Sequence, residues 1–250
     1  MNNTYMPMSQ LVPVSKKTNI IPMICCGKRG GCYRYELYSK FNKVIKCKYG
    51  SPDLKTFQKY LNNCEYYYEF GSGGSTIYAS KLPNIKKIFS IESDKQWYDH
   101  IFQTLKEDNK CHVDMKYIEL YSKKDGSGHP GRDLSNNLIA SYEEIIKYPR
   151  SMESFPKEEI DKVDVVLIDG RYRISSCLHA FNHIKDECII IFDDFKTRKK
   201  YHIVLDYYDI IDRNWNDETD ELGELIVLKK KKNITSIDEE TIKKHYSDED

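Results

Sequence analysis

The residues in this chain best suited to chemistry are carboxylates that close apolar runs, and the glycines that follow one of them. Glu69 stands in Tyr66-Tyr67-Tyr68-Glu69-Phe70, and Gly71, Ser72, Gly73 and Gly74 come next. Glu92 closes Lys87-Ile88-Phe89-Ser90-Ile91-Glu92, with Ser93 after it. Asp169 closes the run that begins at Val163, and Asp193 with Asp194 closes the run that begins at Cys188. Glycines admit positive φ and let another molecule approach the backbone. A carboxylate can accept two hydrogen bonds from a diol, or hold an ammonium group. Three carboxylates at one edge can hold a hard divalent ion through oxygen. Without an ion, one whose pKa is raised by its neighbours can serve as a general base.

These residues need elements to present them at one place. The aromatic run to Phe70 suits a buried strand, and a helix is expected to start just after the glycines, with Ser75 or Thr76 as its cap. A strand that stops in glycines and restarts as a helix is how doubly wound α/β proteins build a small-molecule site. Glu92 lies 21 residues after Gly71, where such folds place an acid for ribose hydroxyls. The bland alternatives are a ligand-free strand-turn-helix and a strand-end acid that merely caps a helix. Asp94 is expected to cap a helix holding Trp97, Ile101, Phe102 and Leu105 on one face. Residues 163–170 and 188–194 read as buried parallel strands, because their apolar runs are nearly continuous. Upstream, Ser51 and Pro52 read as the start of a helix with Leu54, Phe57, Tyr60 and Leu61 on one face. Residues 113–120 read as a third strand, 141–148 as a short helix, and 207–211 with 222–228 as a final antiparallel pair. The turn-rich insertion that opens at residue 123 contains His129, which reads as a loop histidine or a general base.

The segment Glu69-Phe70-Gly71-Ser72-Gly73-Gly74 resembles the first motif of class I S-adenosylmethionine-dependent methyltransferases. The third position of a dinucleotide fingerprint is Thr76 here, so a nicotinamide site matches poorly. The resemblance extends over about residues 51–230 and rests on Glu69–Gly74, Glu92 and the acid-ended strands. It implies a Rossmann-like, doubly wound sheet of order 3-2-1-4-5-7-6, mostly parallel with an antiparallel last strand and helices on both faces. It also implies S-adenosylmethionine as cofactor, held by Glu69, Gly71, Ser72, Gly73, Glu92, Ser93 and Asp169. Tyr121 and Ser122 would border the adenine. Neither Asn-Pro-Pro-Tyr nor Asp-Pro-Pro-Tyr follows the fourth strand, and no Pro-Cys pair occurs, which argues against the common DNA methyltransferases. Asp169 with Asp193 and Asp194 is similar to the metal-binding acids of catechol-type and some sugar O-methyltransferases. The expectation is therefore O-methylation of a small-molecule or glycan hydroxyl, with Asp169 and Asp194 catalytic and magnesium or manganese as the assisting ion. Arg171 and Arg173 would orient the acceptor or pair with these acids. Competing readings are an RNA or protein methyltransferase and a non-catalytic nucleotide- or partner-binding module.

Composition narrows the field. The chain has 250 residues, with 39 basic and 39 acidic side chains. A formal charge of zero gives no global pull toward nucleic acid or an anionic membrane. The mean hydropathy is −0.67, and no run approaches the ~20 apolar residues that span a bilayer. A cytoplasmic protein is the expectation, with a small-molecule or glycan acceptor rather than nucleic acid or a membrane as its partner. The eight cysteines include no paired C-x-x-C of a zinc site. Residues 1–50 are expected to form an irregular or capping extension, 51–232 the domain, and 233–250 a charged tail.

Overall fold

The computed structural model describes residues 52–120, 141–215 and 224–246, together with two two-residue strands, Tyr35–Glu36 and Val44–Ile45, that pair with each other. Its centre is a seven-stranded sheet. The strands are β1 (Tyr66–Phe70), β2 (Lys87–Glu92), β3 (Val113–Tyr117), β4 (Val165–Ile168), β5 (Ile189–Phe192), β6 (Tyr208–Arg213) and β7 (Ile226–Lys230). Their spatial order is β3-β2-β1-β4-β5-β7-β6. The first five are mutually parallel, and β7 runs antiparallel to both β5 and β6. This is the Rossmann-like architecture expected.

Strand register decides where the acids end up. Ile91, Phe70, Ile168 and Phe192 form one row across β2, β1, β4 and β5. The ladder continues one residue further: Gly71 N–H donates to Ile91 O at 2.9 Å, Asp169 N–H to Phe70 O at 3.0 Å and Asp193 N–H to Ile168 O at 3.0 Å. Glu92, Gly71, Asp169 and Asp193 therefore share a single rim at the carboxyl edge, where open α/β sheets bind ligands.

Alternation along β1 divides the core in two. Tyr67 packs with Phe57 and Leu61 of α1 (Pro52–Leu61) and with Tyr78 and Ala79 of α2 (Gly74–Ala79). Tyr68 and Phe70 pack on the other face, with Tyr148, Phe155 and Phe181. On the first face α3 (Lys95–Glu107) buries Ile101 and Leu105 against Ile77 and Met115. The second face carries α4 (Tyr142–Ile145), α5 (Lys157–Ile160), α6 (Arg173–His183) and α7 (Glu239–Lys243).

Several expectations change. Asp94 does cap α3, accepting from Trp97 N–H at 2.9 Å. Phe102 does not face the core, however; it is 45% exposed and stacks on Tyr98. The cap of α2 is Gly73 rather than Ser75 or Thr76, because both hydroxyls are committed to Glu69. Lys229 and Lys230 belong to β7. The segment after residue 232 is more than a solvated tail: Ile237, Ile242 and Tyr246 are buried in the core. Ile237 N–H and O are both bonded by the Asn182 amide of α6. Cys64, Cys177 and Cys188 are buried and reduced, as small hydrophobes. Tyr121, Ser122 and His129 lie outside the described residues, as do Ser51 and Cys25, Cys26, Cys32 and Cys47. Among the described residues, no helix is long and apolar enough to cross a membrane.

Candidate functional site at the carboxyl edge of the sheet

The turn after β1 follows from its glycines. Gly71 has φ +92°, and a Cβ there would stand 2.9 Å from the carbonyl of Asp169 and the Cα of Gly170. Gly170 is as tight: a Cβ would meet the Tyr148 hydroxyl at 1.9 Å and Gly71 N at 2.8 Å. The turns after β1 and β4 thus touch backbone to backbone. Around Gly73 there is room, since its nearest neighbour is the Trp97 indole at 3.7 Å. Trp97 Nε1 donates to Ser72 O at 2.7 Å, which pins the turn from α3. Besides Gly71, Tyr172 (φ 49°) and Asp194 (φ 58°) hold positive φ just beyond β4 and β5. Such strain collects where the surroundings impose a geometry.

Glu92 and Ser93 are at the rim as expected. Glu92 Oε2 accepts from the Ser72 amide and hydroxyl, each at 3.1 Å. Its Oε1 accepts from Ser93 N–H at 2.7 Å and Asp94 N–H at 2.8 Å. Burial pushes its pKa up to about 7, against these four donors.

Glu69 is not at the rim. It is fully buried under the turn, 0% exposed. Oε2 accepts from Tyr67 Oη at 2.9 Å and Ser75 Oγ at 2.7 Å; Oε1 accepts from Ser90 Oγ at 2.6 Å and from Thr76 Oγ1. Four hydroxyls occupy the four sites a carboxylate offers, leaving none for an ammonium. Glu69 acts instead on the turn, because Thr76 Oγ1 also accepts the Gly73 N–H at 2.8 Å. Strand alternation explains the outcome: Glu69 sits two residues inside the rim, level with Ser90, and its side chain enters the α2 face. Burial raises its pKa to about 7.

Asp169, Asp193 and Asp194 are brought together, with Arg173 among them. Arg173 Nη2 lies 3.1 Å from Asp169 Oδ1, and Nη1 lies 3.2 Å from Asp194 Oδ2 and 3.6 Å from Asp193 Oδ2. The guanidinium also bonds the carbonyls of Gly170 (3.1 Å) and Asp193 (2.8 Å), and only 7% of the residue is exposed. Arg198 takes Asp194 Oδ2 at 2.6 Å. Burial and the neighbouring Asp169 raise the Asp193 carboxyl well above its usual range. This set does not fit a divalent ion, because the buried Arg173 guanidinium already stands among the three acids as their counter-charge, although Asp193 Oδ1 is left without a hydrogen-bond partner among the described residues. Magnesium or manganese at these three acids, expected from the sequence, is therefore not supported.

Sequence reasoning missed Glu224. It is half-buried just before β7, bonds Asp194 through its carboxyl, and has a pKa pushed to about 7 by burial and by that neighbour. Its strand pairing is antiparallel and comes from a distant part of the chain, so no local spacing marks it.

No family model matches this sequence, and no curated protein matches it. Solved structures do. A methyltransferase-like protein from Silicibacter pomeroyi DSS-3 superposes with a TM-score of 0.58 at 22% identity, covering 80% of this chain and 94% of that one. The m1A22 tRNA methyltransferase TrmK of B. subtilis gives 0.47 at 14% identity, with 72% and 66% covered. A putative O-methyltransferase from Klebsiella pneumoniae gives 0.47 at 11%, with 74% and 81% covered. The likeness to the first of these shows that this chain shares its fold.

Proposed function

We propose that this protein is an S-adenosylmethionine-dependent methyltransferase that transfers the methyl group to a hydroxyl of a small molecule or glycan. The observation that carries the reading is Glu92: a rim carboxylate at the end of β2 with two of its hydrogen bonds coming from the glycine turn. A ribose diol entering there replaces the Ser72 hydroxyl and finds a preformed acceptor. Gly73, where a Cβ would meet nothing closer than the Trp97 indole at 3.7 Å, is compatible with the same placement. Since Glu69 is saturated, the amino-acid end is met by the backbone of the turn and by Asp169.

S-adenosylmethionine bound in this cradle supplies an electrophilic methyl group for in-line displacement. The chain's own part is positioning and proton handling. Arg173 and Arg198 hold Asp169 and Asp194 in fixed orientations. Glu224, with its pKa near neutrality, takes the acceptor hydroxyl proton as the carbon–oxygen bond forms and the carbon–sulfur bond breaks. In this reading Asp194 is a positioning residue, and the base is its hydrogen-bonded partner.

Calorimetry with S-adenosylhomocysteine and NAD side by side tests the cofactor. Saturable binding of the first and none of the second is expected. NAD binding with no response to S-adenosylhomocysteine overturns the assignment.

A further inference from the structure

A second cluster lies away from the rim. His179 and His183 are four residues apart on α6, so both imidazoles project from one helical face. The 3-10 turn Ser151–Ser154 brings Glu153 to them. One ligand-capable atom from each of the three residues lies within 4.8 Å of the others. His183 Nε2 stands 3.6 Å from Glu153 Oε1. Tyr246 adds a hydroxyl hydrogen-bonded to His179 Nε2, and that hydroxyl is 3.3 Å from Glu239 Oε1.

We propose that Glu153, His179 and His183 form a binding site for a divalent transition metal of the zinc class. Two imidazoles and one carboxylate are a donor set that borderline cations take, whereas magnesium and calcium prefer oxygen alone. Tetrahedral zinc needs ligand atoms roughly 3.3 Å apart, from bonds of about 2.0 Å. All three ligand atoms lie within 4.8 Å of one another, and the Glu153–His183 pair is already at 3.6 Å. Arg150 also bonds the Glu153 carboxylate, at 2.9 and 3.1 Å. The Arg150 side chain is 39% exposed, unlike the buried guanidinium among the aspartates. It can keep one carboxylate oxygen while the metal takes the other. Glu153 and Arg150 also line an open cavity of about 1000 Å³ beside β3, which gives the ion and a fourth, water ligand a way in. Tyr246 and Glu239 stand where outer hydrogen-bonding partners orient a ligating imidazole. The bound ion would join α6 to the segment before β4, close to the C-terminal segment that carries Tyr246.

The test uses the full chain, stripped with a chelator and titrated with zinc chloride or cobalt chloride. One ion per chain is expected, with a higher melting temperature and cobalt d–d bands free of thiolate charge transfer. His183→Gln and Glu153→Gln lie at the partly exposed side of the cluster. Each should fold as the stripped wild type does and lose at least about tenfold in zinc affinity. If the wild type shows no saturable binding, the site does not exist. If both variants bind as the wild type does, or if cobalt shows thiolate bands, the metal belongs to the cysteines and the proposal fails.

Discussion

Glu92 Oε2 accepts both the amide N–H and the hydroxyl of Ser72, at 3.1 Å each, and so ties the end of β2 to the glycine turn of β1. Only the hydroxyl bond is dispensable for the backbone. A diol that replaces it leaves the amide bonds from Ser93 and Asp94 in place. Ser72→Ala is therefore expected to bind S-adenosylhomocysteine as tightly as the wild type or more tightly. Glu92→Ala is expected to weaken binding by about 1–3 kcal/mol, the scale of a buried group left without its charged partner. Isothermal titration of the two variants separates these outcomes.

The buried acids predict how stability follows pH. Burial raises the pKa of Glu69 and of Glu92 from 4.5 to about 7 in the folded state. Between those values the folded chain binds more protons than the unfolded one, so the unfolding free energy falls as pH rises through the window and levels off above it. Each group contributes up to about 3 kcal/mol to that fall. Urea unfolding from pH 4.5 to 8 should show this slope, and Glu69→Gln should make it shallower.

Arg173 is expected to be a structural cation. Arg173→Met leaves three clustered acids without their buried counter-charge, and a loss of about 3–5 kcal/mol follows. Magnesium should not raise the melting temperature of the wild type, where the Arg173 guanidinium already stands among the acids. In Arg173→Met the acids lose that guanidinium, although Asp194 keeps Arg198, and magnesium should then recover part of the lost stability in thermal melts.

Gly170 cannot carry a side chain. In Gly170→Ala the new Cβ meets the Tyr148 hydroxyl at 1.9 Å, but also Gly71 N and Phe70 C at 2.8 Å. Removing the hydroxyl relieves only the first clash. The double variant Gly170→Ala/Tyr148→Phe should thus stay destabilised by at least about 2 kcal/mol, in the range of overpacked sites. Full recovery of the wild-type urea midpoint would contradict this packing.

Glu224 predicts the pH profile of the reaction. With a pKa of about 7, a base there is inactive when protonated, so kcat should rise through neutral pH and then level. Glu224→Gln should lower kcat by about a hundredfold or more, the usual contribution of a general base, and abolish that rise while leaving S-adenosylhomocysteine affinity unchanged.

Local sequence determined the strands and the rim. Alternating and continuous apolar runs set β1, β2, β4 and β5 within a residue or two, and each run ended in the acid or glycine now found at the carboxyl edge. Asp94 was legible as a cap because its partner, Trp97 N–H, lies three residues away. What only the tertiary structure decided was which way the acids are used. Glu69 turned inward because the hydroxyls that satisfy it come from β1, α2 and β2, and their convergence depends on packing. The aspartate trio became an ion-pair cluster because α6 starts where it can swing Arg173 back across the edge. Glu224, Tyr148 and the Glu153–His179–His183 cluster were illegible for the same reason. Spacing along the chain encodes periodicity, but it carries no information on which distant side chains share a solvent-poor space, and there the cost of an unpaired charge assigns every partner.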